Sequence, residues 1–148
     1  MMMHALITVT TVCIGLLVGV EFAVSAFINP VLWALEPSAQ TAAIRLFARK
    51  LGRAMPLWYV ASFVLLIIAA IMHRHQSGEI LLIAASALWA TIILLTILFL
   101  VPINNRMAQL SEGAIANGGL REHRKWDSLH RLRVIALAVS MVCFLLAV

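Results

Sequence analysis

The chain has 148 residues, 64% of them hydrophobic and only 11% charged, with a mean hydropathy of +1.04. A soluble domain is roughly 45–50% apolar and about 25% charged, so this composition points to lipid and leaves no room for a separate soluble domain. The formal charge of +5 gives little support to nucleic-acid binding, because a one-sided membrane bias accounts for it.

Four apolar stretches run along the sequence, at about 5–35, 54–72, 80–103 and 126–148. None alternates with period 2, and in lipid the backbone must satisfy itself, so each is predicted to be a helix. The expected fold is an all-α integral membrane four-helix bundle, a single domain over 1–148. The first stretch exceeds the roughly 20 residues that cross ~30 Å of hydrocarbon, so its end is expected to project past the bilayer. It lacks a basic n-region and is too long for a signal peptide's apolar core, which makes it a span. Gly15 and Gly19 stand in a GxxxG spacing that permits close helix contact. Glu21, Ser25 and Asn29 recur on one stripe of this span. An unpaired carboxylate there would cost several kcal/mol, so Glu21 is expected to pair with a cation of span four.

Between spans one and two, Ser38 follows Pro37 as a plausible N-cap. Ile44, Phe47, Ala48 and Leu51 share one face, and Arg45, Arg49 and Arg53 another. This reads as a basic amphipathic helix lying against anionic headgroups at the inner face. Arg53 opens span two. Span three closes on "VPINN", where Asn104 and Asn105 offer both donors and acceptors. "SEGAIANGGL" (111–120) reads as a flexible loop, and "WDSLHRLR" (126–133) opens span four. From Val134 to Val148 only 15 residues remain, too few to cross, so His130 and Arg133 must enter the membrane zone. Trp126, His130 and Arg133 fall on one stripe, and Asp127 can reach His130 or Arg131.

Ten of the eleven Lys and Arg residues lie between spans one and two, or between three and four and at the start of four. Only Arg74 lies on the other side. The positive-inside rule then puts both termini outside the cytoplasm, in a multi-pass protein of the cell inner membrane. Cys13 and Cys143 have no CxxC spacing and read as inert thiols. "MMMH" and "HRH" place thioether and imidazole groups on the outer side, a donor set that suits copper. His73 and His75 share a face only in an extended segment, so no metal site is predicted.

All four helices thus bring polar groups to one end of the bundle. "FINP" closing span one, "VPINN" closing span three and "W-x-x-x-H-x-x-R" opening span four resemble, in order and spacing, the anthrone-oxygenase-like family of small four-span membrane proteins. The resemblance covers nearly the whole chain. It implies a four-helix fold and, for some fungal members, oxidation of a polyketide anthrone to an anthraquinone without a known metal or flavin. Asn105, Trp126, His130 and Arg133 are the positions it marks, while Glu21 rests on the bilayer argument alone.

Three functions follow as expectations. In an oxygenase without a cofactor, His130 acts as a general base near pH 7, oriented by Asp127. Arg133 stabilises the anion of a phenolic or otherwise acidic aromatic substrate, and Glu21, Asn29, Arg53, Asn104, Asn105 and Trp126 line the binding pocket. A small proton-coupled transporter would use Glu21 as its exchange carboxylate. A non-catalytic accessory membrane subunit would use the basic face to dock its partner. The sequence does not set the oligomeric state.

Overall fold

The computed structural model describes residues 1–110 and 120–148, so the predicted loop at 111–120 falls almost wholly outside the described residues. Every regular element described is helical. Four helices result: α1 (Met2–Ala34), α2 (Pro37–Met72), α3 (Glu79–Ala108) and α4 (Leu120–Ala147). All four include segments long and apolar enough to cross a membrane.

Two helices carry a π-turn, at Val24–Ile28 in α1 and Thr96–Leu100 in α3. In each the amide just after the turn (Asn29 or Val101) bonds the carbonyl five residues back, and a proline follows at once (Pro30 or Pro102). Proline has no N–H, and its ring crowds the carbonyl four residues before it. A widened turn opens that crowded stretch without ending the helix. α2 takes Pro56 without a π-turn, and Gly52 thereby loses its usual i+4 donor.

The basic amphipathic segment expected as a separate interfacial helix is continuous with span two. Its apolar face, Ile44 and Ala48, packs against Leu32, Ile103 and Met107. Arg45 and Arg49 donate to the carbonyls of Leu110 and Ala108, at 3.5 and 3.2 Å, where the end of α3 has carbonyls to spare. With 36 residues α2 is about 54 Å long. This is well beyond one crossing.

At the end of the bundle that holds both termini, the core is dense and apolar: Ile14, Leu17, Leu66, Leu82, Trp89, Leu137 and Phe144 are fully buried. Most polar groups there turn to main-chain oxygens, while the buried Ser62 hydroxyl meets the Cys13 thiol at 3.4 Å. Ser140 donates to Ala85, Trp89 to Tyr59 and Trp58 to Cys13, at 3.0, 3.2 and 3.1 Å. Gly78, with φ of 99°, closes the α2–α3 turn directly against α4. A Cβ there would lie 2.4 Å from the Ala147 carbonyl oxygen, so only glycine fits. The GxxxG expectation fails: a Cβ on Gly19 would meet nothing within 4 Å, and one on Gly15 only the Met141 methyl at 3.6 Å.

Candidate functional site

At the opposite end the four helices part around a cavity of about 210 Å³. Both π-turns line it, through Val24 on α1 and Thr96, Ile97 and Leu100 on α3. So do Gly52 and Pro56 of α2. Three helices therefore meet the cavity where a proline has disturbed their regular turns.

One buried cluster forms its polar wall. Glu21 is 2% exposed and receives the Arg133 guanidinium, whose Nη2 donates to Oε2 at 2.7 Å. The expected pairing of Glu21 with a cation of span four is present. The Tyr59 hydroxyl donates to the other oxygen, Oε1, at 2.9 Å. Arg133 also stands over the Tyr59 ring, 5.4 Å from its centroid, a cation–π distance. His130 is fully buried, with Nε2 3.2 Å from the Glu21 main-chain oxygen and Nδ1 2.9 Å from Arg133 Nη2. A carbonyl only accepts and a guanidinium only donates, so the neutral ring is assigned its proton on Nε2 and its lone pair on Nδ1. Nδ1 also lies 3.2 Å from Glu21 Oε2. The Trp126 indole stacks on His130, 4.6 Å between centroids and 10° from parallel.

The other residues expected here divide. Asn104 and Asn105 line the cavity. The Asn104 amide reaches across to donate to the Ala48 carbonyl at 3.0 Å. A Cβ on Gly52 would lie 2.6 Å from that amide nitrogen, so the missing side chain makes room for the crossing. Arg53 is exposed and is not part of the cavity wall. Asn29 is buried but reaches Asp127, donating to Oδ1 at 2.7 Å, and lines a neighbouring chamber of about 40 Å³. Asp127 spends its other oxygen on Arg131, at 2.9 Å. Asp127 thus orients no cavity histidine. The carboxylate beside His130 comes from Glu21, 109 positions away, because a partner four residues along the same helix competes successfully for Asp127.

Tyr59, Thr96 and His123 escaped the sequence reading. Tyr59 is the chain's single tyrosine and falls in mid-span, a signal that was available. His123 stacks on Trp33 at 4.5 Å and borders the smaller chamber. Nothing in the local pattern distinguishes Thr96. Among the described residues no three His, Cys, Asp or Glu side chains are grouped to hold a metal ion.

The anthrone oxygenase family model matches residues 43–143, more than half of the chain. No curated protein and no solved structure matches. The matched stretch includes Tyr59, Asn105, Trp126, His130 and Arg133. Glu21 precedes it.

Proposed function

The chain belongs to the anthrone oxygenase family, and on that premise we propose that it oxygenates a flat phenolic or ketonic aromatic molecule in the four-helix cavity. The observation that carries this reading is the Glu21–His130–Arg133 cluster on the wall of an otherwise apolar cavity. An engineered cavity of roughly 150 Å³ accepts benzene, so about 210 Å³ takes more than a single ring. Trp126 supplies a stacking face.

Glu21 already balances the Arg133 charge, so the cavity favours a neutral substrate whose charge appears only during reaction. An acidic CH₂ beside an aromatic ketone passes a proton to His130 Nδ1 as Arg133 Nη2 leaves that nitrogen for the developing enolate oxygen. The imidazolium then donates from Nδ1 to Glu21 Oε2 and from Nε2 to the Glu21 carbonyl, both already in place. Arg133 stabilises the enolate that forms. Dioxygen, soluble in the bilayer, oxidises the electron-rich carbon. Overall, CH₂ and O₂ give C=O and H₂O: the carbon loses two hydrogens and four electrons, one oxygen atom enters the product and the other leaves as water. By the family resemblance no metal or flavin takes part.

We place the four helices in the cell inner membrane with the cavity toward the cytoplasm and both termini outside, on the ten-to-one basic asymmetry. The N-terminal part of α2 then lies at the inner headgroups. The transporter reading is weaker, because both oxygens of Glu21 are held by Tyr59 and Arg133 and an exchange carboxylate must release its partners.

Anthrone-dependent oxygen uptake by the purified chain in nanodiscs tests the proposal. Wild-type protein is expected to consume one O₂ per anthrone and form the quinone, and His130→Gln to lose at least about 100-fold, the lower range of general-base contributions. Equal rates in both proteins overturn the role of His130. Absence of uptake in wild type overturns the oxygenase.

A further inference from the structure

The wall of the cavity is closed on two sides only. From α1 it takes Val20, Glu21 and Val24, and from α4 Trp126, His130 and Arg133, all buried or half-buried. Its exposed residues all belong to the other two helices: Gly52, Pro56 and Val60 on α2, and Ile97, Val101 and Asn105 on α3. Val60 is 54% exposed and Ile97 58%. A side chain that is both cavity wall and outer surface marks a mouth, so the cavity opens along the α2–α3 seam.

Hydrogen bonds bracket that opening. On the side of the packed core, the Trp89 indole of α3 donates to the Tyr59 carbonyl of α2. On the other side, Asn104 donates to Ala48 and Arg49 to Ala108. Among the described residues no hydrogen bond joins the two helices between these clasps. The unclasped stretch holds Pro56 and the π-turn of α3, so neither helix offers regular ridges for the other to seat. Lipid tails are as apolar as the side chains, and no hydrophobic force drives such a seam shut.

The rim decides what can pass. Pro56, Val60, Ile97 and Val101 are apolar and fall within the apolar stretches of α2 and α3, at the depth of hydrocarbon. A molecule arriving from water at this end meets the Asn104 and Arg49 clasps first. One dissolved in the bilayer meets Val60 and Ile97. We infer that the gap between α2 and α3 is a lateral doorway, through which apolar ring compounds pass between the bilayer and the cavity without entering water. An apolar hole of roughly 150 Å³ already holds benzene, and the cavity behind this doorway is about 210 Å³. The inference rests on the helices lying in a membrane and holds whatever reaction the cavity carries.

Fluoronaphthalene in nanodiscs carrying the full chain, followed by fluorine exchange NMR, tests it. Wild type is expected to show a bound resonance that exchanges directly with the lipid-dissolved one. Val60→Phe and Ile97→Phe put a ring into the doorway from opposite sides. Each is expected to slow exchange about tenfold in both directions at an unchanged bound fraction, because only the barrier has risen. Leu57→Phe and Leu94→Phe, exposed on the same helices but outside the wall, should exchange as wild type does. Either rim variant serves alone where the other fails to fold. Unchanged exchange in the rim variants, equal slowing in the controls, or no bound resonance in wild type overturns the doorway. A lower bound fraction with an unchanged entry rate overturns it too, since Val60 and Ile97 would then be binding wall. Anthrone-dependent oxygen uptake by wild type reads the chemistry separately, so the oxygenase reading stands or falls by its own test.

Discussion

The two ends of this bundle are built from the same four helices and differ in what their polar groups do. At the end holding the termini, Ser86, Ser140, Trp58 and Trp89 all donate to main-chain oxygens, and the space between helices is filled by leucine, isoleucine and aromatic side chains. At the other end, the side chains bond one another across helices: Tyr59 to Glu21, Arg133 to Glu21, Asn29 to Asp127. Polar side chains satisfied by main-chain oxygens leave an apolar surface that packs. Charged groups that must find each other across the bundle hold the helices at set distances and leave a cavity between them. The lesson is that hydropathy alone, high in all four spans, does not separate the packed end from the open one. Where the prolines and charges fall does.

The contrast can be broken most severely at the charge pair. Glu21→Gln leaves Arg133 buried without its counter-ion, a loss of about 3–5 kcal/mol for breaking such a pair. Arg133→Gln should cost a similar amount, and the double variant clearly less than the sum, with a coupling above ~0.5 kcal/mol in unfolding measured in mixed micelles. Additive losses would mean the pair does not hold the cavity end together.

A smaller loss is expected at the packed end. Leu137→Ala opens a hole among fully buried neighbours. Since lipid is as apolar as the core, the transfer part of the usual penalty is largely absent and about 2 kcal/mol of lost packing remains. Ligand affinity per folded molecule should stay the same. A drop in affinity would show the two ends to be coupled.

The smallest expected effect sharpens the boundary between them. In Gly52→Ala the new methyl collides with the Asn104 amide and should cost about 1–2 kcal/mol by overpacking. Asn104→Ala in the same background should relieve most of it. Failure of that rescue would place the collision with the helix backbone instead.

Much of this was legible in the residues. The four helices follow from length and apolarity. The missing length of the last apolar run correctly required helix to begin before Val134, and α4 does begin at Leu120. The Glu21–Arg133 pairing followed from the cost of a lone carboxylate in lipid. Partner choice was harder to read. Asp127 had both His130 and Arg131 within one helical turn, and which it takes depends on where α1 delivers Asn29 and Glu21. The fusion of the basic segment with span two was hidden because Gly52 and Pro56 look like breakers. They are tolerated because the helix continues around them against α3. The GxxxG spacing misled because the exposed side of a helix can carry small residues too.

The π-turn of α1 has a consequence for the angular arithmetic of that helix. Residues eight apart on an ideal α-helix differ by about 80° around the axis. Yet Glu21 and Asn29, eight apart, both reach α4, one at His130 and Arg133 and the other at Asp127. A π-turn absorbs about one extra residue, which brings the two to within roughly 20° of each other. The helix therefore counts seven where the chain counts eight. A chain shortened by one residue within 24–28 would wind as plain α-helix and still present both side chains to α4. The same deletion a turn earlier, between Leu16 and Val20, would swing Glu21 away from the packed core behind it by about 100°. The widened turn is thus the one place in α1 where length can change without changing what the helix faces.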